Sequence, residues 1–174
     1  MKFLLIKFLK FILFPFRGIL SLISKEYSEK KLFNTGLILS KQNNLRFKKI
    51  KNLSEVEFSV FSQWGDDGII DWLNYILNFK NKRFVEIGVE DYYECNTRFI
   101  LKKNNWSGLA LDMSKKSIDK IKSQSVYWKH NLTAKKAYVT AENINQILKE
   151  LDYSKNISLL SLDIDGNDYW VMKK

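Results

Sequence analysis

The stretch RFVEIGVEDYYECNTRFILKKNNWSGLALD, residues 83–112, decides the fold class of this chain. Residues 83–89 are rich in β-branched and aromatic side chains and contain a glycine near their end, which predicts a buried strand. Residues 95–103 have apolar positions at helical spacing, and GLALD, residues 108–112, predicts a second buried strand. Two strands joined by a helix predict a parallel pair with a right-handed crossover.

The same alternation continues on both sides of this stretch. The patterns predict a helix at 68–77, a weaker strand at 125–128, a helix through 144–148 and a clear strand at 157–163. Strands that alternate with helices predict a Rossmann-like α/β domain with a parallel sheet, and ligands of such sheets bind beyond the carboxyl ends of the strands. We therefore expect the ligand-binding half of the domain between Phe84 and Asp165.

The turn after the first strand is acidic. Gly88 allows a sharp turn and a close approach to a ligand, and Glu86, Glu90 and Asp91 lie around it in sequence. The turn lacks a full G-x-G-x-x-G pattern, and its three carboxylates repel a pyrophosphate but attract a cation. S-adenosylmethionine carries an ammonium and a sulfonium centre, so the turn favours this cofactor over a dinucleotide. Glu86 and Gly88 are candidate cofactor-binding residues.

The second strand ends in another acid, Asp112. It follows Gly88 by 24 residues, close to the spacing of about 20 at which an acid meets a ribose hydroxyl in nucleotide-binding folds. Asp112 is therefore the third candidate cofactor-binding residue, although an ordinary solvated loop carboxylate is the alternative. Glu86 lies inside a strand, where an unpaired acid is costly to bury, so we expect a specific partner for it.

The last predicted strand ends in DIDGND, residues 163–168. Asp163 and Asp165 alternate there and are the candidate catalytic residues, because carboxylates at this position can orient an acceptor hydroxyl or bind Mg²⁺. The positions of glycine and glutamate that a calcium loop requires are missing. His130 is the single histidine, and a lone histidine is more often structural than catalytic.

The net charge of +10 is confined to the N-terminal part of the chain. Residues 1–51 contain twelve bases and two acids, whereas bases and acids balance from residue 52 onward. The neutral remainder offers no surface for a nucleic-acid backbone, so we expect no nucleic-acid partner. The single cysteine, Cys95, excludes an intramolecular disulfide and fits a reducing, cytoplasmic location.

Residues 1–25 have the pattern of a basic amphipathic helix. Lys7, Lys10 and Arg17 interrupt every apolar window long enough for a membrane span. On a helical projection the bases share one arc and Phe and Leu occupy the rest, which predicts a helix lying on an anionic membrane surface. A helix docked on protein and a secretory signal are the alternatives. Residues 26–60 are polar and weakly patterned and predict a linker.

Several strings resemble one known family. SQWGDDGII (62–70), FVEIGVEDYYECNTRFIL (84–101) and LLSLDIDGNDYWV (159–171) resemble the FkbM-like putative S-adenosylmethionine-dependent methyltransferases of bacterial surface-polysaccharide loci. The resemblance implies a class I methyltransferase domain at 61–174 and O-methylation of a saccharide or related hydroxyl. It places cofactor contacts on Glu86, Gly88 and Asp112, and the acceptor site on Asp163 and Asp165.

The chain departs from this family in two ways. Residues 89–92, VEDY, replace the usual glycine-rich continuation. A non-catalytic binding or assembly protein on a methyltransferase scaffold at the membrane surface is therefore the alternative function. Similar proteins continue beyond the fourth strand, so the resemblance also implies that the domain at 61–174 is truncated.

Overall fold

The computed structural model describes the backbone of residues 2–174, the exposure of Gly18, and the side chains of residues 23–174. Within this part of the chain, a long helix precedes an alternation of strands and helices. The elements are α1 (Lys2–Asn44), α2 (Asp66–Leu77), β1 (Arg83–Ile87), α3 (Arg98–Asn104), β2 (Ser107–Asp112), α4 (Lys115–Ser123), α5 (Ser125–Lys129), β3 (Leu132–Lys136), α6 (Ile144–Glu150), β4 (Leu159–Leu162) and α7 (Asp168–Met172).

The four strands of the described chain form one parallel sheet in the order β3-β2-β1-β4. Phe84 pairs with Gly108 of β2 on one side and with Leu159 of β4 on the other. The prediction of an α/β domain with a parallel sheet is confirmed. Because β2 and β4 lie on opposite sides of β1, the connections that leave β1 and β3 run in opposite directions, and a crevice opens at the carboxyl ends where they diverge.

Apolar side chains cover both faces of the sheet. Phe84 and Ala110 point to the face covered by α3 and α4, where Ile100 and Ile121 are buried. On the other face, helices α6 and α7 cover four buried strand residues, Val85, Ile87, Leu109 and Leu111. This alternation from residue to residue is the pleat of a sheet that is buried on both sides, as the strand predictions required.

The predicted third strand at 125–128 is wrong, because these residues form α5. The amide of His130 donates to the carbonyl of Val126 at 3.2 Å, and that of Tyr127 donates to Gln124 at 3.1 Å. The true β3 follows it and alternates buried Leu132 and Ala134 with more exposed side chains. A run of four residues such as SVYW is too short to show a period that separates a strand from a helical turn.

The segment 26–60 differs from the expected linker. Residues 26–44 are the second part of α1 and pack on the domain through Phe33, whose ring lies 5.8 Å from that of Phe99. A side chain at Gly36 would lie 2.3 Å from Val60, so the helix backbone approaches the domain closely there. Within the described residues, no helix is apolar over a length sufficient to cross a membrane.

Candidate functional site

A cavity of about 440 Å³ lies at the carboxyl ends of β1, β2 and β4. Its volume falls in the range of small-molecule sites, roughly 300–1,000 Å³. The loops that follow the strands provide most of its lining. The lining residues are Gln63, Ile87, Gly88, Glu90, Glu94, Leu111, Asp112, Met113, Ala137, Tyr138, Val139, Asp163, Ile164, Asp165 and Asn167.

The lining carries acidic and no basic side chains. Five carboxylates line the cavity, Glu90, Glu94, Asp112, Asp163 and Asp165, and none of the lining residues is lysine, arginine or histidine. Opposite charges attract and like charges repel most strongly in a partly enclosed space, where water screens them less. The cavity therefore favours a cationic ligand and disfavours a phosphate.

Gly88 lies where the ends of β1 and β4 meet. Its φ is +84°, and a Cβ at this position would lie 1.7 Å from the carbonyl oxygen of Asp163. The amide of Gly88 donates to Leu111 at 2.9 Å, and the amide of Asp163 donates to Ile87 at 3.0 Å. Glycine is therefore required here by the close packing of the ends of β1 and β4, whether or not a ligand also lies against it.

Asp112 connects two loops at the edge of the cavity. One carboxylate oxygen accepts from the amide of Glu90 at 2.9 Å, and the other accepts from the amide of Ser114 at 2.7 Å. Ser114 in turn caps α4 by accepting from the amide of Ser117 at 3.2 Å. Asp112 thus holds the loop after β1 against the loop after β2, and it also lines the cavity.

Glu86 is placed differently from the other predicted cofactor-binding residues. It is 4% exposed and does not line the cavity. Its carboxylate accepts from the amides of Asn96 and Thr97 at 2.7 and 3.1 Å, and from the hydroxyl of Thr97 at 2.5 Å. Burial raises the pKa of Glu86, although these hydrogen bonds counteract the rise. The expected partner of Glu86 is therefore the start of α3.

The loop after β4 brings both predicted catalytic residues to the cavity. Asp163 and Asp165 line it, and Asp165 has a φ of +52°. The carboxylate of Asp168 holds this loop, because it accepts from the amides of Ile164 at 2.9 Å and Gly166 at 3.1 Å. The hydrogen bond from Ile164 contributes most to lowering the pKa of Asp168. The sequence did not predict this role, because the amides that Asp168 binds lie before the helix rather than in its first turn.

Asp67 fixes a second loop that the sequence analysis did not assign to the site. One of its carboxylate oxygens accepts from the amides of Val60, Phe61 and Ser62 at 2.7, 2.7 and 2.8 Å. Burial raises the pKa of Asp67 despite these bonds. The same loop places Gln63 in the cavity lining. The sequence feature that could have predicted this loop is the string SQWGDD, in which a turn is followed by Asp67 in the first turn of α2.

The histidine and the cysteine lie outside the cavity lining. Burial lowers the pKa of His130, and the cations Lys102, Arg98 and Lys129 lower it further. Cys95 is buried, and burial raises the pKa of its thiol well above the usual value. Among the described residues, no three His, Cys, Asp or Glu side chains are arranged to hold a metal ion. The ionisable side chains of the cavity lining are therefore the five carboxylates and the phenol of Tyr138.

No protein-family model matches this chain, and no curated protein matches it. The geometry of the cavity and the resemblance in its motifs are therefore the grounds for a functional proposal.

Proposed function

We propose that this protein is an S-adenosylmethionine-dependent O-methyltransferase of the FkbM-like type, acting on a hydroxyl of a saccharide or a related molecule. The observation that supports this best is the acid-lined cavity at the carboxyl ends of β1, β2 and β4. It lies at the switch point of a sheet ordered β3-β2-β1-β4, where Rossmann-like domains bind their ligands. Under this proposal the domain is a class I methyltransferase domain.

The residues of the cavity fit this cofactor. When bound, S-adenosylmethionine supplies an electrophilic methyl group, and its ammonium and sulfonium centres match the carboxylates of Glu90 and Glu94. Asp112 ends the second strand, where a carboxylate meets ribose hydroxyls in related nucleotide sites. Gly88 contributes backbone without a side chain at the floor of the cavity. Glu86 does not line the cavity, but its carboxylate holds the end of the loop that carries Glu90 and Glu94.

Asp163 and Asp165 are the candidate groups for the acceptor. Transfer of a methyl group to an oxygen requires the hydroxyl to lose its proton, and a carboxylate within hydrogen-bond reach accepts or orients that proton. Both residues belong to a loop that the Asp168 carboxylate holds in place. A bound Mg²⁺ remains a second way for this pair to orient an oxygen, with water completing its coordination.

A non-catalytic binding or assembly role is the second candidate function. The observation that favours it is the engagement of Asp112, whose two oxygens both accept backbone amides and so already hold loops together. Under this candidate the protein is a cytoplasmic scaffold, peripheral at the inner face of the membrane. The methyltransferase proposal shares this location, because both depend on the basic N-terminal segment for recruitment in polysaccharide biosynthesis.

Calorimetric titration with S-adenosylmethionine tests the proposal. We expect binding by the wild-type chain and at least about tenfold weaker binding by Asp112→Ala, since a lost charged hydrogen bond costs about 1.5–3 kcal/mol. Asp119→Ala removes an exposed acid from α4 and is the matched control, which should bind like the wild type. No binding by the wild type, or equal binding by both variants, would contradict the proposal. Binding without methyl transfer to any saccharide would favour the second candidate.

A further inference from the structure

Helix α1 leaves the domain beside the cavity. The Nζ atom of Lys25 lies 3.2 Å from the centroid of the Tyr93 ring. Tyr93 belongs to the loop between β1 and α3, which also provides Glu90 and Glu94 to the cavity lining. The point where α1 separates from the domain is therefore at the carboxyl edge of the sheet.

A buried ionic cluster fixes α1 just after this point. The carboxylate of Glu29 accepts from Arg98 at 2.9 Å and from Lys102 at 2.5 Å. Arg98 is 1% exposed and also donates to the carbonyl of Tyr92 at 2.6 Å and to Gln124 at 2.8 Å. Because a buried guanidinium needs its counter-ion, this cluster holds Glu29 against the start of α3.

From Glu29 onward, α1 runs toward the opposite edge of the sheet. Asn43, near its end, donates to the carbonyl of Val56 at 3.3 Å. The indole of Trp72 donates to the carbonyl of Phe47 at 3.1 Å. Trp72 lies on α2, whose C-terminus leads into the amino end of β1. Since α1 is one continuous helix, its residues before Lys25 extend beyond the carboxyl edge, on the side where the cavity opens.

These first residues have the chemistry of a membrane-surface segment. Residues 2–24, named the arm from here on, contain four bases, Lys2, Lys7, Lys10 and Arg17, and no acid. At about 1.5 Å per residue, a helical arm of this length reaches about 35 Å from the domain. The side chains of Ile23 and Tyr27, at its junction with the domain, are 60% and 71% exposed. A basic, apolar helix complements the charge and the apolar interior of an anionic bilayer.

We infer that the arm lies on an anionic bilayer and, because it leaves the domain beside the cavity, keeps the mouth of the cavity close to that bilayer, so that the acceptor hydroxyl belongs to a membrane-borne saccharide rather than a free sugar. This inference rests on the proposed function, because it names the class of acceptor for the same cavity. The contact of Lys25 with Tyr93, in the loop that carries Glu90 and Glu94, places the start of the arm beside the cavity.

Vesicle binding by the full chain tests the partner of the arm. The probe is vesicles of phosphatidylglycerol and phosphatidylcholine, compared with phosphatidylcholine alone. We expect the triple variant K7E/K10E/R17E to lose at least about 100-fold in affinity for the anionic vesicles. The matched control K48E/K49E/K51E changes the net charge equally at exposed sites beyond α1, and should lose much less. Equal losses in both variants, or none in either, would overturn the membrane assignment in favour of a protein partner or general attraction.

A fluorescent label tests the orientation. Gln63→Cys places a label at the mouth of the cavity and Asn81→Cys places one before β1, at the opposite edge. The buried Cys95 thiol, with its raised pKa, should not compete for the label. We expect a nitroxide on the lipid headgroup to quench the label at position 63 several-fold more than the label at position 81. Equal or reversed quenching would overturn the orientation.

The cofactor titration keeps this inference separate from the proposed function. If the wild type binds S-adenosylmethionine but quenching is equal at the two labels, the orientation fails and the methyltransferase proposal stands. If the vesicle and quenching results are as expected but the wild type binds no cofactor, the methyltransferase proposal fails and the membrane assignment stands. Faster methylation of a lipid-linked saccharide in vesicles than of the same free saccharide would support both, and the reverse preference would overturn the inferred acceptor.

Discussion

Replacing Gly88 by alanine should separate the ends of β1 and β4. A side chain at its φ of +84° costs roughly 1–2 kcal/mol in backbone strain. The new Cβ would also lie 1.7 Å from the carbonyl oxygen of Asp163 and 2.7 Å from its carbonyl carbon. Backbone atoms cannot rotate away, so relief of the overlap costs about 1–3 kcal/mol in packing, and about 1 kcal/mol for the hydrogen bond between Asp163 and Ile87. The expected total is about 3–6 kcal/mol.

Gly166 provides the control that isolates this contact. Its φ is +105°, but a Cβ at this position would have no atom within 4 Å. Gly166→Ala should therefore lose only the strain, roughly 1–2 kcal/mol. Urea unfolding measures both losses through the midpoint, provided that the slope with denaturant is unchanged. Similar losses in Gly88→Ala and Gly166→Ala would refute the close approach of the strand ends.

Three further predictions concern α1 and the buried acid of β1. Glu29→Gln should lower the free energy of unfolding by about 2 kcal/mol, because Arg98 loses its counter-ion. The control Glu26→Gln, which removes an exposed ion pair, should change this free energy little. Equal effects of the two variants in urea unfolding would argue against docking of α1. Gly36→Ala should also lower the free energy of unfolding, since the overlap of the new methyl group with Val60 outweighs a gain of about 1 kcal/mol in helix propensity. A variant more stable than the wild type would show that the helix is not docked at this position. Burial raises the pKa of Glu86 above its ordinary 4.5, so the folded state binds the proton more tightly and stability falls as the pH rises through the folded pKa. Glu86→Gln lacks this dependence. The free energy of unfolding of the wild type relative to this variant, measured by chemical unfolding, should therefore fall from pH 4 to pH 8. A constant or rising difference would contradict the raised pKa of Glu86.

The sequence predicted the sheet better than it predicted the connections. The strand around Val85 and the strand ending in Asp112 were predictable because runs of β-branched and apolar residues ending in turns specify buried parallel strands. The positions of Asp163 and Asp165 at the cavity followed from topology alone, since the carboxyl ends of parallel strands share one edge. The position of Glu86 inside a predicted buried strand also indicated that its carboxylate has a specific hydrogen-bond partner.

The rest depended on contacts between residues distant in sequence. The partner of Glu86 could not be identified, because an amide such as that of Thr97 carries no mark in the sequence. Residues 26–44 have few apolar side chains, and Glu29 is 69 residues from Arg98, so nothing local distinguishes this docked helix from a linker. The short α5 follows from hydrogen bonds that close a single turn, which a four-residue run does not encode.

The ionic cluster around Glu29 also has a consequence for the order of events during synthesis. Glu29 leaves the ribosome before Arg98 and Lys102, which follow 69 and 73 residues later. At about 5–20 residues per second, this interval lasts roughly 4–15 s. During this time Glu29 has neither of these two cationic partners, while the arm is already complete. Under the inferred binding of the arm to a bilayer, the nascent chain would reach the membrane surface before its domain is complete, and the domain would then fold beside an arm that is already bound.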